Sequence, residues 1–209
     1  LQINFLSKVS LKAFHVFFKS VYSLLCYFTD RLRIIILELF DHIDIPKKNI
    51  HIPDGTLSRE EIGEFCKSYE EKIDRLGGLD IQVLGIGRTG HIGFNEPGSS
   101  EKSLTRLVSL DQVTRIDAAS DFFGEENVPR KAITMGVGSI MKAAKVYMMA
   151  WGEGKSAVIY KAVEGPVTDQ IPSSFLQKHR DCTLVVDGAA ASGLTRIKAP
   201  WILDSVEWN

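Results

Sequence analysis

The chain has 209 residues, 44% hydrophobic and 24% charged, which suits one globular domain with a sizeable core. A formal net charge of −1 gives no basic field and argues against nucleic acid as a partner. Cys26, Cys66 and Cys182 are an odd, widely spaced set without a C-x-x-C pair, so neither a disulfide framework nor a zinc site is expected, and a reducing cytoplasm fits.

The first 40 residues are rich in Phe, Leu, Ile and Tyr and begin with Leu1 rather than Met, which reads as a fragment. The apolar stretch 13–28 is interrupted by His15 and Lys19 and is shorter than the ~20 residues that cross a bilayer, so no membrane span is expected. No small-residue cleavage pattern follows it. A buried strand at 13–18 and a mostly buried helix at 29–40 are expected instead. Pro46, Asn49, Pro53, Asp54 and Gly55 mark a loop. Ser58, with Glu61 three residues on, predicts a capped helix to about Leu76, ended by Gly77 and Gly78.

Leu79, Ile81, Val83, Leu84 and Ile86 then form an apolar run suited to a buried parallel strand. Gly85, Gly87 and Gly90 follow it, and next come His91 and Glu96 on an irregular loop beyond the strand's C-terminal end, where α/β sheets bind ligands. The glycine spacing satisfies G-x-G-x-x-G, with Asp111 about 20 residues on, as in a dinucleotide site. That reading needs a helix opening at Gly90, and Gly93, Pro97 and Gly98 break any helix there, so it ranks well behind. Further on, 104–110 reads as extended and 111–121 as a short helix or turn. Residues 132–136 lead into a helix through Ala144, 145–151 form a central strand followed by a helix from Gly154 to Glu164, Thr183 to Val186 form a strand, and Ala189 to Leu194 a helical turn. Alternating strands and helices predict a parallel sheet with crossovers on its faces.

His91 is the candidate acid/base, because an imidazole with a reference pKa near ~6.5 both accepts and returns a proton near neutrality. Glu96 is the carboxylate that would orient it. Lys155, opening a helix after Gly152-Glu153-Gly154, is the candidate anion-binding cation, its ammonium and the helix's N–H groups serving one anion together. Gly87, Arg88 and Thr89 complete the candidate substrate-binding set. Trp151, Trp201 and Trp208 suggest sugar stacking, but Trp201 and Trp208 lie in the tail and read as packing residues, and Met135, Met141, Met148 and Met149 read as core filler rather than a cofactor box.

The segment GIGRTGHIGFNEPGSS, from 85 to 100, resembles the signature loop of the glucosamine-6-phosphate deaminases, also called glucosamine/galactosamine-6-phosphate isomerases. Residues 40–56, Thr114-Arg115, 132–146 and 152–179 follow in the family's order, and the resemblance covers roughly 40–190. It implies conversion of glucosamine 6-phosphate and water to fructose 6-phosphate and ammonia, in amino-sugar (N-acetylglucosamine) catabolism. The steps are ring opening, transfer of a proton from C2 to C1, and imine hydrolysis, with no metal or other cofactor. The partner it implies is a small sugar phosphate, and the oligomeric state stays open, a closed homo-oligomer included.

Three departures stand against the family pattern. Thr89 replaces the aspartate that many relatives carry two positions before the histidine, and a hydroxyl cannot hold negative charge at neutral pH. Phe17 and Tyr22 align with the family's Phe-Asn-x-Asp-Glu-Tyr motif, but Ser20 and Val21 occupy its aspartate, the C2 base, and its glutamate; the upstream phosphate loop is missing. Asp121 stands where many relatives have an arginine near the phosphate or effector site, which leaves effector control in doubt. Two alternatives therefore stay open, a catalytically impaired sugar-phosphate-binding homologue and a 6-phosphogluconolactonase-like hydrolase. The expected architecture is a single α/β domain over 1–209, N-terminally incomplete, with a mainly parallel Rossmann-like sheet, helices on both faces, and a C-terminal tail from about 195.

Overall fold

The computed structural model describes the backbone of residues 2–5 and all of residues 40–199. The expected strand at 13–18 and, but for Phe40, the helix at 29–40 lie outside the described residues. So do Phe17, Ser20, Val21, Tyr22, Cys26, Trp201 and Trp208, with most of the tail.

Among the described residues four parallel strands form the main sheet: β1 (Gln2–Phe5), β2 (Ile81–Gly85), β5 (Lys145–Ala150) and β6 (Cys182–Val186), in the order β1-β6-β5-β2. A separate antiparallel ribbon pairs β3 (Arg106–Ser109) with β4 (Lys131–Thr134). The helices are α1 (Arg59–Arg75), α2 (Gln112–Ala118), α3 (Val137–Met141), α4 (Ser156–Val163), α5 (Gly188–Ala191) and α6 (Thr195–Lys198). The result is a mixed α/β fold with a parallel sheet flanked by helices. Among the described residues no helix is long and apolar enough to cross a membrane.

Local chemistry sets the boundaries of α1. The Ser58 hydroxyl and backbone N–H both donate to Glu61, 2.6 and 2.9 Å, and the chain leaves the helix through Gly77 and Gly78 at φ +93° and +92°. Helix α3 stops at Met141 rather than at the expected Ala144, and Ala132 to Thr134, in the segment that leads into it, belong to the ribbon.

The expected central strand is β5, which pairs with β2 on one side and β6 on the other. Val146, Met148 and Ala150 alternate inward on it and join Leu84, Ile86, Ile140, Ile159, Leu176, Leu184 and Val186 in one core. Each of these larger side chains contributes about 1.5–3 kcal/mol through burial. Strand β2 is parallel as expected but buried only toward its C-terminal end: Ile81 is 57% exposed, while Leu84 and Ile86 are buried.

Parallel pairing has one consequence for function. The register sets Gly85 beside Met149 and Ala150 beside Val186, so the C-terminal ends of β2, β5 and β6 lie at the same end of the sheet. The segments that leave them carry His91, Lys155 and Asp187.

Candidate active site

Residues 86–105 leave β2 as an irregular loop with no helix opening at Gly90. The geometric requirement of a dinucleotide fingerprint is therefore not met. Two glycines shape the turn. Gly90 has φ +83°, a backbone conformation that L-residues rarely adopt, and its carbonyl accepts from Ser173 N at 2.9 Å. Gly87 lies against the His91 ring so closely that a Cβ there would overlap the imidazole.

Asn95, fully buried, fastens the loop from inside. Its amide donates to Ile92 O and Met135 O, both 2.9 Å, and its carbonyl oxygen accepts from Arg106 Nη1 at 2.8 Å. Arg106 also reaches Ser99 Oγ at 3.2 Å, and burial lowers its pKa. Neither anchor stands out in the sequence, because a polar residue in a loop ordinarily faces water.

The imidazole is buried, 3% exposed, and Glu96 Oε2 lies 3.1 Å from its Nδ1. Thr89 Oγ1 is 3.0 Å from the same nitrogen and donates to Glu96 Oε2 at 3.2 Å. Thr114, on α2, donates to Glu96 Oε1 at 2.6 Å, and Asp111 N approaches that oxygen at 3.4 Å. Burial alone would raise the pKa of Glu96. Hydrogen bonding to and the charge of His91, with the Thr114 and Asp111 donors, outweigh it and hold the carboxyl below its ordinary range.

Lys155 ends a short 3-10 turn and immediately precedes α4. Its Nζ donates to Ile86 O at 2.7 Å, which ties the segment after β5 to the end of β2. Burial lowers the pKa of this ammonium, with Asp117 opposing the effect and Arg88 adding to it. The turn before it is held by Asp187, whose two carboxylate oxygens each accept from Gly152 N at 3.1 Å. Arg88 is exposed and forms an ion pair with Asp117 at 2.6 Å. His91, Glu96 and Thr89 are thus in mutual contact and Gly87 lies against the His91 ring, while Lys155 joins the same strand end through Ile86. Asp187, Thr114 and Asn95 are supporting residues to which the sequence gave no role, although Thr114 and Asn95 lie in stretches that carry the family resemblance; for Asp187 its N-cap position before α5 was the available signal.

A separate, mainly apolar cavity of about 160 Å³ is lined in part by Tyr69, Val83, Gly93, Phe94 and Met135, and does not include His91. Among the described residues no group of three or more His, Cys, Asp or Glu side chains is placed to hold a metal ion.

Residues 32–185 match the family model of glucosamine-6-phosphate isomerases/6-phosphogluconolactonases. The chain belongs to that family. A glucosamine-6-phosphate deaminase-like protein of Bacteroides thetaiotaomicron is 51% identical over 171 residues, 82% of this chain and 26% of that protein. A glucosamine-6-phosphate deaminase of Thermoanaerobacter sp. is 48% identical over 154 residues, 73% of this chain and 60% of that enzyme. This family member therefore spans about 60% of the length of such deaminases, and about a quarter of the Bacteroides protein. A solved monomeric glucosamine-6-phosphate deaminase matches with TM-score 0.77 and 31% identity, over 92% of this chain and 88% of that one. The 6-phosphogluconolactonase of Trypanosoma brucei matches with TM-score 0.59 at 17% identity, over 80% of this chain and 69% of that one, a likeness of fold alone.

Proposed function

We propose that this chain is a glucosamine-6-phosphate deaminase, converting glucosamine 6-phosphate and water to fructose 6-phosphate and ammonia. The observation that carries the reading is the His91–Glu96 pair, a buried imidazole 3.1 Å from a half-buried carboxylate, beyond the C-terminal end of a parallel strand in a chain 48% identical to a deaminase over 73% of its length. An imidazole backed by a carboxylate takes the proton of the sugar's O1 hydroxyl and returns it to the ring oxygen, which opens the hemiacetal. The open-chain 2-amino aldehyde then passes its C2 proton to C1 through an enolamine, while a second proton moves from nitrogen to O1, and this leaves a ketimine at C2. Water adds to the resulting ketimine and ammonia leaves.

Lys155 is the cation we assign to the phosphate, with Arg88 at the rim. Two buried free thiols, Cys66 and Cys182, the latter pushed up to about 11 by burial, suit a reducing cytoplasm. Release of fructose 6-phosphate places the reaction in amino-sugar catabolism.

A second reading rests on Ser20, which stands where the family has the aspartate base for the C2 proton. In it the chain binds sugar phosphate without turnover. Coupled assay of ammonia and fructose 6-phosphate, run beside calorimetric titration with glucosamine 6-phosphate, decides between them. Turnover supports the deaminase; binding without ammonia, regained in Ser20→Asp, supports the impaired homologue. Neither binding nor turnover removes both.

A further inference from the structure

We propose that Thr114 is a positioning residue of the acid/base pair: its hydroxyl and that of Thr89 are both committed to the Glu96 carboxylate, and this fixes His91 as the tautomer protonated at Nδ1. The proposal rests on the reading of His91 as the ring-opening base, and it names the residues that set the state of that base.

The argument is an accounting of hydrogens. An ionised carboxylate offers about four acceptor sites on two oxygens. At Glu96, Oε2 faces His91 Nδ1 at 3.1 Å and the Thr89 hydroxyl at 3.2 Å, while Oε1 faces the Thr114 hydroxyl at 2.6 Å and Asp111 N at 3.4 Å. All four sites are met by groups able to donate. Both threonine oxygens also lie beside the imidazole, Thr89 at 3.0 Å and Thr114 at 3.3 Å from Nδ1. A hydroxyl carries one hydrogen, and each of these is spent on Glu96. If Nδ1 were the unprotonated nitrogen, a hydroxyl would have to turn its hydrogen from the carboxylate to the ring, and Nδ1 would face Oε2 lone pair to lone pair. Only with a proton on Nδ1 are all these contacts attractive, and Nε2 is then the atom that takes and returns the sugar's proton.

Thr114 is better placed than Thr89 to enforce this. It is 6% exposed and sits in the first turn of α2, a helix whose N-cap Asp111 side chain accepts from Val113 N at 2.7 Å. Its bond to Glu96 is the shortest in the cluster. A neutral hydroxyl from the helix and another from the loop thus do together what a charged relay partner would do alone, holding the carboxylate ionised and turned to the ring.

The test is the ¹⁵N signature of His91 in the whole 209-residue chain near neutral pH, without substrate, for the wild type, Thr114→Val and Thr114→Ser. The wild-type ring is expected to show a protonated Nδ1. Thr114→Val is expected to give averaged tautomers and to lower kcat for ammonia release about 10- to 100-fold with KM little changed, and Thr114→Ser to restore both. Thr114→Ala replaces the valine variant if that does not fold. A wild-type ring protonated at Nε2 overturns the assignment, and so does a folded Val or Ala variant with an unaltered signature. A wild type that releases no ammonia yet keeps the Nδ1–H signature removes the deaminase reading and supports the assignment, so the two failures are distinguishable.

Discussion

At Gly87 the missing side chain is a steric requirement of the imidazole beside it. A methyl group there would occupy the volume of the His91 ring, and the ring would leave the Glu96 carboxylate. Gly87→Ala is therefore expected to lower ammonia release at least ~100-fold, the cost typical of misplacing a reacting group by about 1 Å, while circular dichroism stays that of the wild type. Glu96→Gln keeps the shape and removes the charge. We expect it to lower kcat about 10²- to 10⁴-fold at neutral pH, read in the same coupled assay.

The Glu96 variant also has a signature in stability. A carboxyl whose folded pKa is depressed contributes stability above the unfolded value of about 4.3 and loses it as the pH falls through the folded pKa. Glu96→Gln should accordingly flatten the acid side of a urea-midpoint against pH curve, and an unchanged acid slope would count against an ionised Glu96. His91 and Glu96 were legible as chemistry because they stand on a loop beside glycines. Asn95 was not, since only the folded chain turns it inward to Met135 O and Arg106.

Among the elements, α1 was the most legible, because its cap is chemistry between neighbours: Ser58 and Glu61 are three residues apart and meet in the structure. What α1 does for the fold was hidden. Glu70, on its inner side, accepts from the Thr105 backbone and hydroxyl and from Ser139 Oγ, binding α1 to the start of the ribbon and to α3. Burial raises the pKa of this carboxyl, but the Ser139 and Thr105 donors, with the charge of Lys142, bring it below the ordinary value. Glu70→Gln is expected to cost about 1–3 kcal/mol in urea unfolding at pH 7. By the same sign as for Glu96, the gap between variant and wild type should narrow below a pH of about 4. Strand β6 is different in kind, since its contribution is apolar. Leu184, fully buried in the core between β1 and β5, should cost about 2–5 kcal/mol when changed to Ala, measured by the same unfolding experiment.

For the whole molecule, the parallel direction of β2, β5 and β6 is what makes a site out of separate segments. Lys155 Nζ reaches Ile86 O across 69 positions of sequence, and Asp187 reaches Gly152 N across 35. Antiparallel pairing of β5 would send Lys155 to the opposite end of the sheet from His91. Sheet order and register are fixed by burying Val146, Met148, Leu184 and Val186 in one core, so core and site are two results of the same packing.

By itself the sequence determined what neighbours in the chain decide: the capped helix α1, the alternating strands and helices, the glycine turn, and the acid/base chemistry of a histidine and a carboxylate five positions apart. Tertiary structure alone decided what depends on distant residues. It paired Ala132 to Thr134 with β3 in a ribbon and brought Thr114 and Asp111 to the carboxylate that Thr89 and His91 already touch. The reason is physical: capping and turn formation spend hydrogen bonds within a few residues, whereas pairing of strands and the satisfaction of a buried carboxylate draw on groups that only the closed core places side by side.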